Sequence, residues 1–135
     1  VLRKENKVAF VLRENTKWMN GFYGMPSGKV EKNENFSSAA IREGFEEVGV
    51  TIEPQDLKYI HTMHRHGQDM DWVDVYFEVD QWKGEVINAE PDVHREVAWF
   101  DLQHLPQNIV PPVRAALVAI ERGETYSEYG WEEEI

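Results

Sequence analysis

Residues 28–50 constrain the fold of this chain most, because they hold three glutamates spaced as on one helical face. Glu43, Glu46 and Glu47 stand at positions i, i+3 and i+4, so all three project from the same side of a helix. Like charges this close repel one another when they are unpaired. The cluster is therefore either a solvated stripe or a site for a hard cation such as Mg²⁺, Mn²⁺ or Ca²⁺, which prefers oxygen ligands.

The residues around these glutamates predict an amphipathic helix with clear end signals. At about 100° per residue, Ile41, Phe45 and Val48 fall on the face opposite the glutamates and predict an apolar stripe against a core. Gly49 is placed as the left-handed residue that closes the helix. The N-cap choice stays open among three residues: Asn35, Ser37 and Ser38.

The same segment resembles the box of the Nudix hydrolases, G-x5-E-x7-R-E-U-x-E-E-x-G-U, in which U is a bulky apolar residue. The fixed positions are filled by Gly28, Glu34, Arg42, Glu43, Glu46, Glu47, Gly49 and Val50. Gly44 is the one departure, explained equally by close packing of another backbone or by a helix that tolerates glycine. Two flanking elements also resemble the family: Met25-Pro26-Ser27-Gly28, and Trp99-Phe100 followed by Leu105-Pro106.

The resemblance implies the Nudix fold, an α/β (α+β) class in which a mixed β-sheet lies between helices, as one domain over residues 1–135. It also implies a Mg²⁺-dependent (or Mn²⁺-dependent) hydrolase that cleaves a pyrophosphate bond in a nucleoside diphosphate linked to a group X. By the same resemblance, Glu46 and Glu47 are the principal metal ligands. Glu43 is a ligand or the residue that orients water, and the Gly28 carbonyl completes the site.

Further roles are expected for charged residues inside and outside the box. The resemblance implies that a salt bridge between Glu34 and Arg42 pins the loop that contains Gly28 onto the helix. It also implies another carboxylate on a late loop, as ligand or general base. Glu90 is preferred there over Asp92 and Glu96, although the box does not fix this position. The candidate general bases are Glu43 and Glu90.

Substrate contacts are expected from residues outside the acidic face. Arg13 and Lys29 are candidates for offsetting phosphate charge, and Trp18 and Tyr23 for stacking on a base. His64 is a candidate because its strand borders the expected cleft. A short chain favours a nucleoside triphosphate as substrate. The alternatives are a nucleotide sugar, a dinucleoside or inositol-type polyphosphate, a non-catalytic Nudix-type ligand-binding module, and an α+β interaction domain with a solvated acidic helix.

The amino-acid composition narrows the classes of molecule that this chain is expected to bind. The net charge of −11 and the pI near 4.8 oppose binding to nucleic acid and to anionic membranes, and favour a small nucleotide that arrives with divalent cations. No apolar run is long enough to span a membrane. The absence of cysteine removes disulfides and thiolate chemistry and is compatible with the cytoplasm. The sequence is compatible with a homodimer and, because it begins with Val1, leaves the natural start of the protein open.

Periodicity and turn residues predict the remaining elements. Strands are expected at residues 7–13, 57–66, 72–79 and 96–100, and a helix at 112–122. Residues 57–66 and 72–79 are expected to pair antiparallel, and the second of these strands alternates so that Val73, Val75, Phe77 and Val79 form one apolar face. The aromatic segment 126–131 either folds back over the domain or contacts a partner.

Overall fold

The computed structural model describes residues 1–131, whose elements confirm the α+β class. The strands are β1 (Arg3–Lys4), β2 (Lys7–Arg13), β3 (Tyr23–Gly24), β4 (Lys58–Arg65), β5 (Trp72–Glu78), β6 (His94–Asp101) and β7 (Tyr126–Tyr129). The helices are α1 (Phe36–Val48) and α2 (Pro111–Glu121), with a 3₁₀ turn at Pro54–Asp56. Within residues 1–131, neither helix is long and apolar enough to cross a bilayer.

The strands form two sheets. β2 pairs antiparallel with β1, β3 and β6 in a four-stranded sheet. β4 is central in a three-stranded mixed sheet, antiparallel to β5 and parallel to β7. The structure therefore has two sheets where the sequence predicted one mixed sheet. The two sheets meet at the β-bridge between Leu2 and Val79.

β2 is buried on both faces because its successive apolar side chains point in opposite directions. Phe10 packs in a core cluster with Leu117 of α2, whereas the next residue, Val11, packs with Val48 of α1. Full burial of a side chain of this kind contributes about 1.5–3 kcal/mol. The four-stranded sheet accordingly lies between the two helices, and this arrangement sets α1 against one of its faces.

The ends of α1 follow local signals. The Asn35 side-chain oxygen accepts a hydrogen bond from the Ser38 amide at 2.8 Å, so Asn35 is the N-cap among the three candidates. Gly49 has φ of 73° and closes the helix in the left-handed conformation, as predicted.

The inward face of α1 differs from the predicted one. Phe45 is 61% exposed, whereas Gly44, Glu47 and Val48 are buried. A Cβ on Gly44 would lie 2.9 Å from Cδ1 of Ile52, so the missing side chain lets the helix lie close to this neighbour. The neighbour is a side chain rather than a backbone segment. The approach turns Glu47 inward and leaves Phe45 in solvent, so the acidic face itself packs partly against the protein.

β5 also lacks the single apolar face predicted for residues 72–79. Tyr76 packs against the core cluster that contains Phe10, whereas Val73 is 57% exposed. Asp74 lies on the same face of the strand as Tyr76 and accepts from Nε of Arg65 at 2.7 Å. Because this ion pair satisfies the carboxylate, the face that the pattern marks as polar can face the protein.

The segment after α2 folds back onto the domain as β7. A ring nitrogen of buried His61 lies 2.8 Å from the Glu124 carbonyl, and the other lies 2.7 Å from Oγ of Ser127. Trp131 then donates from its indole nitrogen to the His64 carbonyl at 2.9 Å. Of the two alternatives for this segment, the structure shows folding back.

Candidate active site

The glutamates of α1 differ in exposure because the helix is turned towards the protein. Glu47 is 6% exposed, and the Glu43 side chain is also mostly covered, whereas that of Glu46 is about half exposed. The Ser27 amide donates to Oε1 of Glu47 at 3.3 Å. The loop before α1 therefore lies over the buried part of the acidic face.

Gly28 lies directly against Glu43. A Cβ added to Gly28 would overlap the Glu43 carboxylate, so any other residue would displace this group. Glycine thus allows a close approach of the backbone to the present position of Glu43, and does not serve an unusual φ. The approach is compatible with the Gly28 carbonyl acting as a ligand beside Glu43.

Arg42 joins the same loop to the helix. Its guanidinium donates to both oxygens of Glu34, at 2.7 and 3.0 Å, and to the Lys29 carbonyl at 3.1 Å. It also donates to Glu43 at 2.6 Å and to Glu46 at 3.1 Å. The hydrogen bond from Arg42 holds the pKa of Glu34 below its usual range. One side chain therefore contacts the loop and two glutamates of the acidic face.

Residues 87–93 form a second loop, which precedes β6 and is bound to the C-terminal end of α1. The Ile87 amide donates to the Val48 carbonyl and the Ala89 amide to the Glu47 carbonyl, each at 3.0 Å. The last carbonyls of a helix have no partner within the helix, so this loop supplies donors that α1 needs. The result is a late loop held beside Glu47, although β4 and β5 separate the two in sequence.

A single turn directs Glu90 and His94 towards Glu47. The His94 amide donates to the Glu90 carbonyl at 3.0 Å, and residues four apart in such a turn lie on the same side. Asn88 braces the turn, because its side chain accepts from the Glu90 amide at 3.1 Å and donates to the His94 carbonyl at 2.8 Å. One ligand atom from each of Glu47, Glu90 and His94 lies within 4.8 Å of the others. Burial, followed by the charge of Arg13, lowers the pKa of His94.

The electrostatics of the site favour a cation. Burial, and then the adjacent Glu43 carboxyl group, raise the pKa of Glu47 to about 10. Burial, and then the charges of Glu43 and Glu46, raise the pKa of Glu90. Without a cation, the protein therefore stabilises the ionised forms of these carboxylates poorly, and a bound divalent ion would stabilise them. The oxygen-rich donor set and the close approach of Gly28 fit such an ion.

Three of the predicted substrate residues line one cleft. This cleft has a volume of about 710 Å³ and is lined by Arg13, Trp18 and Lys29, with Gly28 and Glu43. The Trp18 ring is 47% exposed, and the Arg13 guanidinium carbon lies 5.4 Å from its centre. A cleft of this size is typical of small-molecule sites, and here it reaches the acidic face of α1.

Tyr23 and His64 do not line this cleft, in contrast to the prediction from sequence. The Tyr23 hydroxyl donates to Glu96 at 2.7 Å, and its ring packs edge-on against Phe100 at 4.8 Å. The His64 ring packs against Trp131 at 4.7 Å. Both side chains are thus engaged in contacts within the fold and lie outside the set of residues that line the cleft.

The sequence did not single out two residues of the site, namely His94 and Trp72. His94 stands four residues after Glu90, a spacing that signals a shared face only if the intervening residues turn. Trp72 lines the cleft, and its ring lies 5.1 Å from Nζ of Lys29 and 5.2 Å from the guanidinium carbon of Arg65. Its position at the start of a predicted strand did not indicate that the side chains of Lys29 and Arg65 lie beside its ring.

Comparison with known proteins gives consistent similarities. Residues 1–119 match the model of the NUDIX domain. The chain is 28% identical to an 8-oxo-dGTP diphosphatase of Escherichia coli K12 over 120 residues, covering 88% of this chain and 89% of the relative. It is 32% identical to the 8-oxo-dGTP diphosphatase of Proteus vulgaris over 83 residues, covering 62% and 72%. A crystal structure of a MutT NUDIX hydrolase from Burkholderia pseudomallei superposes with a TM-score of 0.78 at 28% identity, covering 87% and 90%.

Proposed function

Because this chain belongs to the Nudix hydrolase family, we propose that it is a pyrophosphohydrolase that cleaves a nucleoside triphosphate with the help of Mg²⁺ or Mn²⁺. One observation carries the proposal, namely the convergence of four carboxylates beside a cleft of nucleotide size. These carboxylates belong to Glu43, Glu46, Glu47 and Glu90. The relatives named 8-oxo-dGTP diphosphatase make 8-oxo-dGTP the first triphosphate to test.

The residues that would hold Mg²⁺ are the three carboxylates of α1 and the Gly28 carbonyl, which leaves Glu90 free as a base. A transition metal would also reach Glu90. A bound divalent ion would neutralise phosphate charge and act as a Lewis acid. Arg42 supplies a fixed positive charge that keeps Glu43 and Glu46 in place through hydrogen bonds of 2.6 and 3.1 Å.

Glu90 is the better candidate for the general base. Glu43 accepts a short hydrogen bond from Arg42 at 2.6 Å, so this carboxylate already has a fixed cationic partner. Glu90 has no such cationic neighbour within hydrogen-bonding distance among residues 1–131. In the proposed step, the oxygen of a water forms a bond to phosphorus, the bridging P–O bond breaks, and Glu90 takes the proton of the water.

Substrate orientation is assigned to the residues that line the cleft. Lys29 follows Gly28 directly in the chain and lines the cleft, which supports a role in offsetting phosphate charge. Trp18 offers a half-exposed ring on which a base can stack. Arg13 packs against that ring and donates from Nε to the Trp18 carbonyl at 2.9 Å, so it holds the ring in position.

The proposal is tested with a substrate panel and phosphate detection. We expect turnover of 8-oxo-dGTP and standard nucleoside triphosphates to exceed that of nucleotide sugars and dinucleoside polyphosphates in the presence of Mg²⁺. A preference for either of the last two classes would replace the triphosphate assignment. Binding of nucleotides without turnover of any member of the panel would instead indicate a ligand-binding module.

Replacing Trp18 with alanine is expected to change the order of preference among nucleotides. Base stacking is worth about 1–3 kcal/mol, so KM for the best base should rise about 5- to 150-fold while kcat and metal affinity change little. Phe45→Ala is the matched control, because Phe45 is 61% exposed and does not line the cleft. An unchanged preference order in Trp18→Ala would remove this ring from base recognition.

Replacing Arg42 with alanine is expected to lower kcat by about tenfold or more, because the loop that contains Gly28 loses its link to α1. Arg42→Lys should recover little, since lysine keeps the charge but lacks the planar fork that contacts Glu34 and Lys29 together. Metal affinity, measured by calorimetry, should fall less than in Glu47→Gln. A larger loss of metal affinity in Arg42→Ala than in Glu47→Gln would show that Arg42 does not act by positioning the loop.

A further inference from the structure

His94 has no part in the mechanism above, yet it lies against two of the proposed metal ligands. One of its ring nitrogens and one carboxylate oxygen each from Glu47 and Glu90 all lie within 4.8 Å of one another. The His94 residue is only 5% exposed and Glu47 only 6%. Two members of this cluster are therefore buried, and Glu90 is partly exposed.

The His94 ring lacks the partner that a buried polar group normally has. Within residues 1–131, its Nδ1 is the one buried side-chain nitrogen or oxygen without a hydrogen bond. Buried polar atoms almost always have partners, so an exception points to an unseen water, an ion or a catalytic role. The carbonyl and amide of His94 are both engaged, with Asn88 and Glu90, so the backbone holds the ring in this place.

The chemistry of the cluster differs from that of the other glutamates. An imidazole nitrogen suits transition metals, whereas carboxylates, carbonyls and water suit Mg²⁺. At sites that contain nitrogen, affinity rises from Mn²⁺ to Co²⁺ and Ni²⁺. A site of two carboxylates and one imidazole therefore favours such ions relative to Mg²⁺.

Resting on the proposed function, in which Glu47 and Glu90 bind metal, we propose that His94 is a nitrogen ligand in a transition-metal subsite. The subsite consists of Glu47, Glu90 and His94, and it gives the protein a higher affinity for Mn²⁺ and Co²⁺ than the carboxylates alone provide. Mg²⁺ binds chiefly through the oxygen ligands of α1. The metal available to the protein then decides which of these ligands are occupied.

Pulsed electron paramagnetic resonance of bound Mn²⁺ tests this proposal independently of activity. The wild-type protein should show nitrogen couplings typical of a coordinated imidazole, and these couplings should change when all histidines carry ¹⁵N. The couplings should disappear in His94→Gln, in which a carbonyl oxygen replaces the ring nitrogen. They should persist in His104→Gln, because the His104 side chain is 84% exposed and lies outside the cluster.

Calorimetry supplies the second measurement. The ratio of Co²⁺ affinity to Mg²⁺ affinity should fall about tenfold or more in His94→Gln, and should not change in His104→Gln. Bound Mn²⁺ without nitrogen coupling in the wild type, or coupling that survives in His94→Gln, would overturn the proposal. An enzyme that turns over nucleotides while its Mn²⁺ has only oxygen ligands would refute the role of His94 and leave the proposed function intact.

Discussion

Replacing Glu47 with glutamine is expected to lower kcat by about a hundredfold or more, while the metal-free protein melts at the same temperature or higher. Glu47 is buried beside Glu43 and Glu90, and these surroundings raise its pKa to about 10. The substitution therefore removes a carboxyl group whose ionised form is destabilised by its surroundings when no metal is bound. It also keeps an oxygen that can accept from the Ser27 amide. Steady-state kinetics in saturating Mg²⁺ and thermal unfolding in EDTA measure the two effects.

Two comparison variants make this prediction specific. Glu46→Gln should lose activity to a similar extent, although its side chain is about half exposed, because it too removes a proposed negative ligand. Glu85→Gln should retain wild-type kinetics, since Glu85 is an exposed residue away from the cluster. Wild-type rates in both Glu46→Gln and Glu47→Gln would mean that the acidic face is a structural feature only. A lower melting temperature of metal-free Glu47→Gln would contradict the charge argument.

Removal of divalent metal is expected to abolish turnover. Within residues 1–131, Arg42 is the cationic side chain that donates hydrogen bonds to Glu43 and Glu46 of the acidic face. Arg42 also donates to Glu34, so its charge is partly neutralised there. A nucleotide polyphosphate would therefore meet strong repulsion from the carboxylates when no metal is bound. EDTA should eliminate phosphate release, and excess Mg²⁺ or Mn²⁺ should restore it. The ion should also raise the melting temperature, because it binds the native state.

EDTA already saturated with Mg²⁺ is the control for effects of the chelator itself, and it should leave turnover unchanged. Full turnover in metal-free buffer would refute the assignment of the carboxylates as metal ligands. Restoration by Mg²⁺ without any change in melting temperature would place the essential ion on the substrate rather than on the protein.

Local signals in the sequence predicted α1 and β2 well. Asn35 and Gly49 define the ends of α1 through interactions with residues next to them in the chain. The continuous apolar run of β2 is buried on both faces, as its composition indicates. The antiparallel pair of β4 and β5 was also expected, because a short turn connects two strands of similar length.

Contacts between distant parts of the chain account for what the sequence did not predict. The sequence indicated Glu90 only as a preference within a late loop and did not single out His94. The position of both depends on backbone hydrogen bonds from the loop that precedes β6 to the end of α1, which no residue pattern indicates. Periodicity assigned Phe45 to the core because it treats glutamates as outward-facing, whereas the contact of Gly44 with Ile52 sets the rotation of the helix. Tyr23 was assigned from the chemistry of its ring, and its actual position depends on Glu96 and Phe100.

The parallel pairing of β7 with β4 affects how well the chain is protected from aggregation during its synthesis. Residues 126–129 lie beyond the stretch that matches the family model, and they cover the edge of β4 that β5 leaves open. During synthesis, that edge and the polar ring of His61 stay without these partners until residues 124–129 have emerged from the ribosome. An uncovered strand edge is a template for pairing with other chains, so the nascent chain is exposed to aggregation through β4 until residues 126–129 pair with it.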